Sequence, residues 1–579
     1  MNNAEIAAAL DELADLNELD GAVVYRVVAY RQAARSVRES PVSIAQLAEQ
    51  GSLTKLKGIG KTIEEKIGVL LETGEIPAAA KLKSKFPPGL VELTRLPGLG
   101  PKTARKIFEQ AGIATVDELR EAAVGERLRE VPGLGEKFER NVLEALEKSP
   151  GGPVEKGSDR RLLSHVLPLA EQIVAELRAH PAAEQVELAG SLRRWSETCK
   201  DIDIVATAHE PRELGKALTG LDVVLDAGSV GDAGTRVVTH NGVAVDLRVV
   251  APDQFGSLLQ HLTGSKQHNM ALREQAVRKG LHVSEYGIED DSTGSKHACA
   301  TEEEVYARLG LDYIEPELRE GRGELEAARE HRLPELLTEA DIKGDLHCHT
   351  TASDGRNTLA QMAKMAKKRG YKYLAITDHS ASFGFGNDVQ PDELRRQAER
   401  VRKWNEGVRG FRLLIGSEVN ILPDGTLDYP DDVLKELDWV IASVHTAFRM
   451  SEREMTERLI AAMDNPYVDA IGHLTGRRIL VRDPYPVDVE RIIEHAVTTG
   501  TMLEINGNPD RRDLSDLHAR LAAEAGATIV VNSDAHGVET LELIRYGIAT
   551  ARRAWLTAGQ VANTRSLRDF LKLRKRAKR

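Results

Sequence analysis

Nine side chains in the C-terminal part of the chain could together hold metal ions. His347 and His349 stand two residues apart in Asp345-Leu346-His347-Cys348-His349, and Asp354 follows. His379, Glu418, His445 and His473 each fall at the end of a short apolar run, and Asp534 and His536 repeat the two-residue spacing. Side chains two apart on a strand share a face, so each pair points the same way. Imidazoles and carboxylates suit borderline metals such as Zn2+, Mn2+ or Fe2+, and a set this large suits two or three ions. Such ions would generate a hydroxide and neutralise a phosphate during hydrolysis. Any single histidine is more commonly a core or surface residue; the recurrence at strand ends is what points to a site.

A second constellation lies upstream. Asp201-Ile202-Asp203 places two carboxylates on one face of an expected strand, and Asp246 sits on a later one. Carboxylates so placed repel unless a divalent cation bridges them. Gly190 and Ser191 open a turn that also carries Arg194, with donors suited to a triphosphate. This set would hold two Mg2+ or Mn2+ ions about 3.5–4 Å apart, a clamp for in-line displacement at phosphorus. A surface strand with solvated acids is the alternative for Asp201 and Asp203 alone.

A third pattern recurs in the N-terminal region: LKGIGKTIEEKI at 56–67, LPGLGPKTARKI at 96–107 and VPGLGEKFERNV at 131–142. Each pairs glycines (Gly58 and Gly60, Gly98 and Gly100, Gly133 and Gly135) with the start of an amphipathic helix. The glycines permit tight turns, and a helix N-terminus offers unpaired N–H groups to an anion. A DNA backbone phosphate fits without base reading, and Lys61, Lys102 and Lys137 add charge. The alternative is a plain turn between helices.

The elements that must position these residues follow from periodicity. Residues 6–16 and 23–37 carry apolar residues at helical spacing, and 149–159 is rich in Gly, Pro and charge, as a linker is. After a helix at 161–179, short β-runs follow, with Asn241-Gly242 marking a hairpin. Residues 316–342 read as a charged helical linker. From 343, β-runs alternate with amphipathic helices, which argues for parallel βαβ units, about seven strands and barrel-like closure.

The chain has 579 residues, 78 Lys+Arg against 90 Asp+Glu, and a net charge of −12. That excludes a general polycation, so DNA binding must use local basic surfaces or backbone amides. Three scattered cysteines, Cys199, Cys299 and Cys348, exclude a disulfide framework and fit a reducing compartment. No apolar run approaches a membrane span, and MNNAEIAAAL is no basic leader; a cytoplasmic, nucleoid-associated protein is expected.

Gly190-Ser191-Leu192-Arg193-Arg194, the Asp201/Asp203 pair, Asp246 and LTGSKQHNMALR at 262–273 resemble the palm and nucleotide pocket of family X DNA polymerases. The resemblance implies catalytic metals at Asp201, Asp203 and Asp246, and a triphosphate at Gly190, Ser191 and Arg194. It implies an incoming nucleotide lined by Thr263 and Gly264, with Arg248 supporting the third aspartate. His261-Leu262 stand where the family often has Tyr-Phe, Lys200 where Gly is common, and His268-Asn269 shift the pocket asparagine. The hairpins resemble helix-hairpin-helix motifs, which bind the DNA backbone irrespective of sequence. Lys66, with Glu65, Tyr30 and Arg31 nearby, aligns with the family's Schiff-base lysine that removes a 5′-deoxyribose phosphate; a solvated helix lysine is the alternative.

Residues 343–570 are similar to the polymerase and histidinol phosphatase (PHP) domain, with all nine ligand positions matched. Joined to a family X polymerase, that implies 3′→5′ exonuclease or 3′-end-processing phosphodiesterase action. Asn506-Gly507-Asn508 and Arg511 would contact the phosphate or serve only the loop, and the basic tail from Lys572 to Arg579 would touch DNA or be solvated.

The expected fold class is multidomain α+β and α/β. A helical lyase-like domain with helix-hairpin-helix spans 1–90 and a second helix-hairpin-helix subdomain 91–150. A mixed nucleotidyltransferase palm spans 151–260, a nucleotide-pocket subdomain 261–315, a linker 316–342, and a distorted (β/α)7-type PHP barrel 343–579. The expected activity is gap-filling DNA synthesis in base-excision or break repair, on gapped or nicked double-stranded DNA with deoxynucleoside triphosphates, by a monomer. The rival is a PHP nuclease whose palm is a catalytically weak DNA-binding platform. A DNA-binding scaffold with structural metals only would bind gapped DNA without turnover under any divalent metal, and a small-molecule phosphatase explains the barrel but leaves the hairpins and palm without purpose.

Overall fold

The computed structural model describes residues 1–94, 99–147, 160–382, 384 and 387–575. They form two compact units. One comprises Met1–Arg160, Leu169–Val186 and Lys200–Val249, the other Arg161–Pro168, Glu187–Cys199 and Val250–Arg579.

The first unit begins with helices Asn3–Leu19 and Val24–Glu39, the former started by a capping box of Asn2 and Glu5. Ile6, Leu10, Leu13, Val37, Ile63 and Ile67 form their common core. A second core, with Leu90, Leu99, Ala104, Ile107 and Leu119, gathers the following helices. Both helical periodicities read from sequence are thus present. The linker expected at 149–159 lies outside the described residues.

The unit's sheet consists of β1 (Ala183–Leu188), β2 (Asp201–Ala208), β3 (Val224–Ala227), β4 (Gly234–Thr239) and β5 (Ala244–Val249). Their order is β1-β2-β5-β4-β3, with β2 parallel to β5 and β4 antiparallel to it. The Asn241-Gly242 turn joins β4 to β5, with Gly242 at φ +77°, a value that favours glycine.

The second unit contains a seven-stranded parallel sheet: β6 (Gly344–Asp345), β7 (Tyr373–Ile376), β8 (Arg412–Asn420), β9 (Trp439–Ser443), β10 (Ala470–Ile471), β11 (Met502–Asn506) and β12 (Ile529–Asn532). The strands lie in sequence order. A bridge between Cys348 and Ala535 joins the chain after β6 to the chain after β12, and Asn563 donates to both Gly344 O and Val531 O. The sheet therefore curves into a nearly closed barrel. Tyr373, Ala375, Leu414, Trp439, Ile441 and Met502 pack in one cluster with Phe570, while the alternating Leu374, Ile376, Leu413, Ile415, Val440 and Leu503 pack in another. Strands buried on both faces read as continuous apolar runs.

Residues 255–340 pack as helices and a small antiparallel sheet. The linker expected at 316–342 is instead folded into this core: Leu318, Leu325, Ala328 and Leu336 are buried with Leu272, Tyr306 and Ile314. Three of its charged side chains, Glu317, Arg319 and Glu324, are buried and paired. Buried Arg319 donates to Glu302 at 2.5 Å, Arg552 pairs with Glu317 at 2.7 Å, and His268 meets Glu324 at 2.7 Å. Local composition could not reveal these partners, which lie on other elements.

Candidate functional sites in the barrel, the palm and the hairpins

The barrel strands deliver the nine expected metal ligands to one end. His347, His349 and Asp354 follow β6, His379 follows β7, Glu418 lies on β8, His445 and His473 follow β9 and β10, and Asp534 and His536 follow β12. Glu418, 1% exposed, is the hub. It lies 2.9 Å from His379 and from His473, 3.3 Å from His445, 3.4 Å from His347 and 3.6 Å from His349. Asp534 approaches His349 to 3.3 Å, and Asp354 approaches His536 to 3.3 Å and His379 to 3.6 Å.

Three overlapping groups have ligand atoms within 4.8 Å of one another: His349, Asp354, His379 and His536; His347, His349 and Asp534; His379, Glu418 and His445. His473 joins them through Glu418.

The electrostatics demand positive charge among these groups. Burial works against charging His347, but Glu504, Glu418 and Asp534 outweigh it and hold its pKa well above the ordinary value. Burial alone would raise the Glu418 carboxyl; His347, His445 and His379 instead hold it well below the usual range. Burial, then the neighbouring His536 and His379, pushes His349 down to about 4. Buried His347 Nε2 and both ring nitrogens of His349 lack a hydrogen-bond partner. Buried nitrogens facing carboxylates without bonding them suit divalent cations between the two.

The supporting shell contains residues that spacing alone did not mark. Glu504, on β11, accepts from His347 Nδ1 at 2.7 Å and from Asn532 at 2.9 Å with one oxygen. Its other oxygen accepts from His473 N at 2.8 Å and Asn506 at 3.2 Å. With Nδ1 donating to Glu504, His347 presents Nε2 to the site, the arrangement that orients a metal-binding imidazole. Asn420 fixes His445 Nδ1, and Asp378 accepts from Thr350, Ser353 and Gln397 beneath the site. Asn506, expected at a phosphate, is fully buried and donates to Asp534 at 3.0 Å, so it supports a ligand. Arg511 reaches the site itself, its Nε 3.7 Å from Asp534.

In the palm, Asp201 and Asp203 share a face of β2, and Asp203 is the cross-strand partner of Asp246 on β5. All three are half-buried. They are not among the groups whose ligand atoms lie within 4.8 Å. Asp246 has Arg236 of β4 at 3.6 Å, so the arginine at ion-pair distance comes from the neighbouring strand, whereas Arg248 was the expected support. Lys200 is exposed.

In the second unit, Gly190–Arg193 form a single helical turn, with Gly190 at φ +63°. Ser191 lies in this turn, half-buried. Arg193 donates to Thr263 Oγ1 at 2.8 Å and to both oxygens of Glu302, at 2.9 and 2.7 Å. Arg194 donates to Thr263 O and, at 3.1 Å, to Glu320. A Cβ on Gly264 would stand 3.2 Å from Arg194 Nη1. The turn and the Thr263-Gly264 segment are thus brought together.

At the first hairpin, Gly58 adopts φ +85°, and Gly60 starts helix Lys61–Thr73 with open space where a Cβ would stand. Gly100 and Gly135 have the same open space, and Gly133 adopts φ +80°. Gly98 lies outside the described residues. A hollow of about 720 Å³ beside the first hairpin is lined by Arg26, Tyr30, Lys55, Lys57 and Lys61 among others. Its lining stops at Ile63; Lys66 lies further along the helix, half-buried. In the tail, Lys575 donates to Met463 O and Asn465 O, while 576–579 lie outside the described residues. Among the described residues no helix is long and apolar enough to cross a membrane.

Four known protein families match parts of this chain. A helix-hairpin-helix domain family matches residues 1–76, a SAM-like helix-hairpin-helix tandem 90–148, the DNA polymerase beta thumb 258–320, and the PHP domain 345–507. The DNA polymerase/3′-5′ exonuclease PolX of Bacillus subtilis (strain 168) is 38% identical over 577 residues, covering 99% of this chain and 100% of that protein. A probable phosphatase of Thermoanaerobacter sp. (strain X514) is 32% identical over 252 residues, 40% of this chain and 95% of its own. Another, of Caldanaerobacter subterraneus subsp. tengcongensis, is 36% identical over 203 residues, 33% of this chain and 75% of its own. With a relative alike from end to end, hairpins and thumb upstream and the histidine-lined barrel downstream, the chain belongs to the family X DNA polymerases that carry a C-terminal PHP domain.

Proposed function

We propose that this enzyme fills short gaps in DNA during repair and trims or cleans 3′ ends at the barrel. It is a DNA-directed DNA polymerase with a 3′-5′ exonuclease. One observation carries the polymerase assignment to named residues: the parallel register that sets Asp203 opposite Asp246, two residues beyond Asp201. These carboxylates would hold Mg2+ or Mn2+, and Ser191, Arg194 and Gly190 the triphosphate, with Thr263 and Gly264 lining the nucleotide. The open N-termini after Gly60, Gly100 and Gly135 would take backbone phosphates, and Lys66 would serve as a lyase nucleophile.

The barrel residues fit two or three Zn2+, Mn2+ or Fe2+ ions. Bound there, such ions supply Lewis acidity and a hydroxide nucleophile. The chain's own part is to orient the imidazoles through Glu504 and Asn420, to exclude water by burial, and to offer Arg511 to a phosphate oxygen. We place the enzyme in the cytoplasm at the nucleoid, as a monomer.

The test uses a labelled primer on one-nucleotide-gapped DNA with all four nucleotides and Mn2+. The wild-type chain lengthens the primer by one nucleotide. Asp203→Ala loses lengthening and keeps shortening of a single strand; His347→Ala does the reverse. Lengthening that survives Asp203→Ala would overturn the palm assignment.

A further inference from the structure

We infer that three arginines of the barrel, Arg512, Arg553 and Arg477, are positioning residues for the turn that carries Ser191 and Arg194. Part of the nucleotide site would then be held in register by the exonuclease barrel. The inference rests on the reading that this turn receives the triphosphate.

The turn has few bonds of its own, among them Trp195 N–H to Leu192 O and Ser196 N–H to Ser191 O, both at 3.0 Å. It has one helical turn, Gly190–Arg193, followed by Trp195 at φ +53°. That left-handed conformation is unfavourable for a bulky residue and persists only where surroundings impose it. The barrel supplies those surroundings. Arg512, 1% exposed, donates to Trp195 O at 2.9 Å and is itself fixed by Thr550 Oγ1 at 2.8 Å. Arg545 lies 5.2 Å above the indole. Arg553 donates to Arg194 O at 2.9 Å, so the carbonyls on both sides of the strained residue are held by buried guanidinium groups. Two residues on, Glu197 pairs with Arg477 at 2.5 Å, and Arg477 donates back to Arg511 O at 2.9 Å.

Arg553 has a second effect. It donates to Glu320 at 2.7 Å, and Arg194 donates to the same oxygen at 3.1 Å. When a triphosphate draws Arg194 away, Glu320 keeps a cationic partner. Without Arg553, Glu320 would be left with Arg194 alone and would compete with the nucleotide for it.

The test is steady-state filling of a one-nucleotide gap by the full chain, with exonuclease rate on a single-stranded oligonucleotide and thermal melting measured on each preparation. Arg553→Met removes the contacts to Glu320, Arg194 O and Asp516, and is expected to raise the nucleotide KM about tenfold with kcat within about threefold. Arg553→Lys should recover part of the loss. Glu197→Gln, at a partly exposed ion pair, should raise KM about threefold with melting unchanged. Exonuclease rates should stay within about twofold in all three. An unchanged KM in folded Arg553→Met and Glu197→Gln would overturn the inference. A parallel loss of extension, exonuclease and melting temperature would also overturn it, since that marks fold support only. Asp203→Ala is run alongside: extension that survives it would overturn the palm assignment itself, a result distinct from failure of the arginine variants.

Discussion

Replacing Glu504 by glutamine removes one charge and almost no volume. Four donors converge on this carboxylate: His347 Nδ1 and Asn532 Nδ2 on one oxygen, His473 N and Asn506 Nδ2 on the other. A glutamine offers one acceptor oxygen and puts an NH2 group against whichever donor pair it does not serve. If the amide oxygen stays with His347, the NH2 faces the backbone N–H of His473, which cannot turn away. If it stays with His473, the NH2 opposes His347 Nδ1 and drives the imidazole to the wrong tautomer. Either way one charge-assisted bond is lost in a fully buried site, about 1.5–3 kcal/mol. At about 1.4 kcal/mol per decade, that is about 10–100-fold in metal affinity or exonuclease rate. The assay is digestion of a labelled single-stranded oligonucleotide across a Mn2+ titration, with metal content measured on the same protein. Gap-filling extension should be unchanged. An exonuclease rate and Mn2+ midpoint within twofold of wild type would refute the reasoning that Glu504 orients His347.

Three further outcomes follow from other parts of the chain. Lys55, Lys57 and Lys61 line the hollow at the first hairpin, so replacing all three by alanine should lower the slope of log K against log salt for gapped DNA by about 3, measured by fluorescence anisotropy. Gly58→Ala places a Cβ 2.8 Å from Gln32 Cγ at φ +85°, and should destabilise the N-terminal helices by about 1–2 kcal/mol, seen as earlier proteolytic cleavage there. Burial opposes ionisation of Glu302, yet Arg319 and Arg193 lower its pKa from 4.5 to about 2. A depressed carboxyl pKa stabilises above the unfolded value, so about 3 kcal/mol should be present above pH 4.5 and lost as pH falls toward 2, and Glu302→Gln should flatten that part of the melting-temperature profile.

The barrel was legible because its signals are local. Parallel strands buried on both faces give apolar runs, and histidines at their ends give the spacing, so His347, His379, His445 and His473 announce both the fold and a candidate site. The common face of Asp201 and Asp203 and the strand position of Asp246 were legible for a similar reason, the strand period. What stayed hidden depends on partners distant in sequence. Glu504 looks like an ordinary strand residue until β11 is set near His347, which follows β6. Arg319, Glu317 and Glu324 made 316–342 look like a linker because charge density is visible in sequence and pairing with Glu302, Arg552 and His268 is not. Arg512 carries no motif, and its place under Trp195 emerges only when the barrel closes.

The two proposed metal sites differ in burial, and that difference should separate their metal requirements. In the barrel, Glu418 and His347 are at most 1% exposed, and their charges are balanced by the buried carboxylates and imidazoles around them. Withdrawing cations leaves buried carboxylates and ring nitrogens facing each other without solvent, a state disfavoured by several kcal/mol per unpaired charge. Cations held there should therefore dissociate slowly. In the palm, the Asp246 side chain is 35% exposed, and solvent can screen the carboxylates when they are bare. Cations there should exchange freely and arrive with the nucleotide. Protein passed through a desalting column without chelator should thus retain exonuclease activity in metal-free buffer and show no extension until Mg2+ or Mn2+ is added. Brief chelation should leave that asymmetry intact, and prolonged chelation should abolish the exonuclease and lower the melting temperature. Loss of both activities on desalting alone would show that burial does not retain the barrel's metal, and would refute the argument.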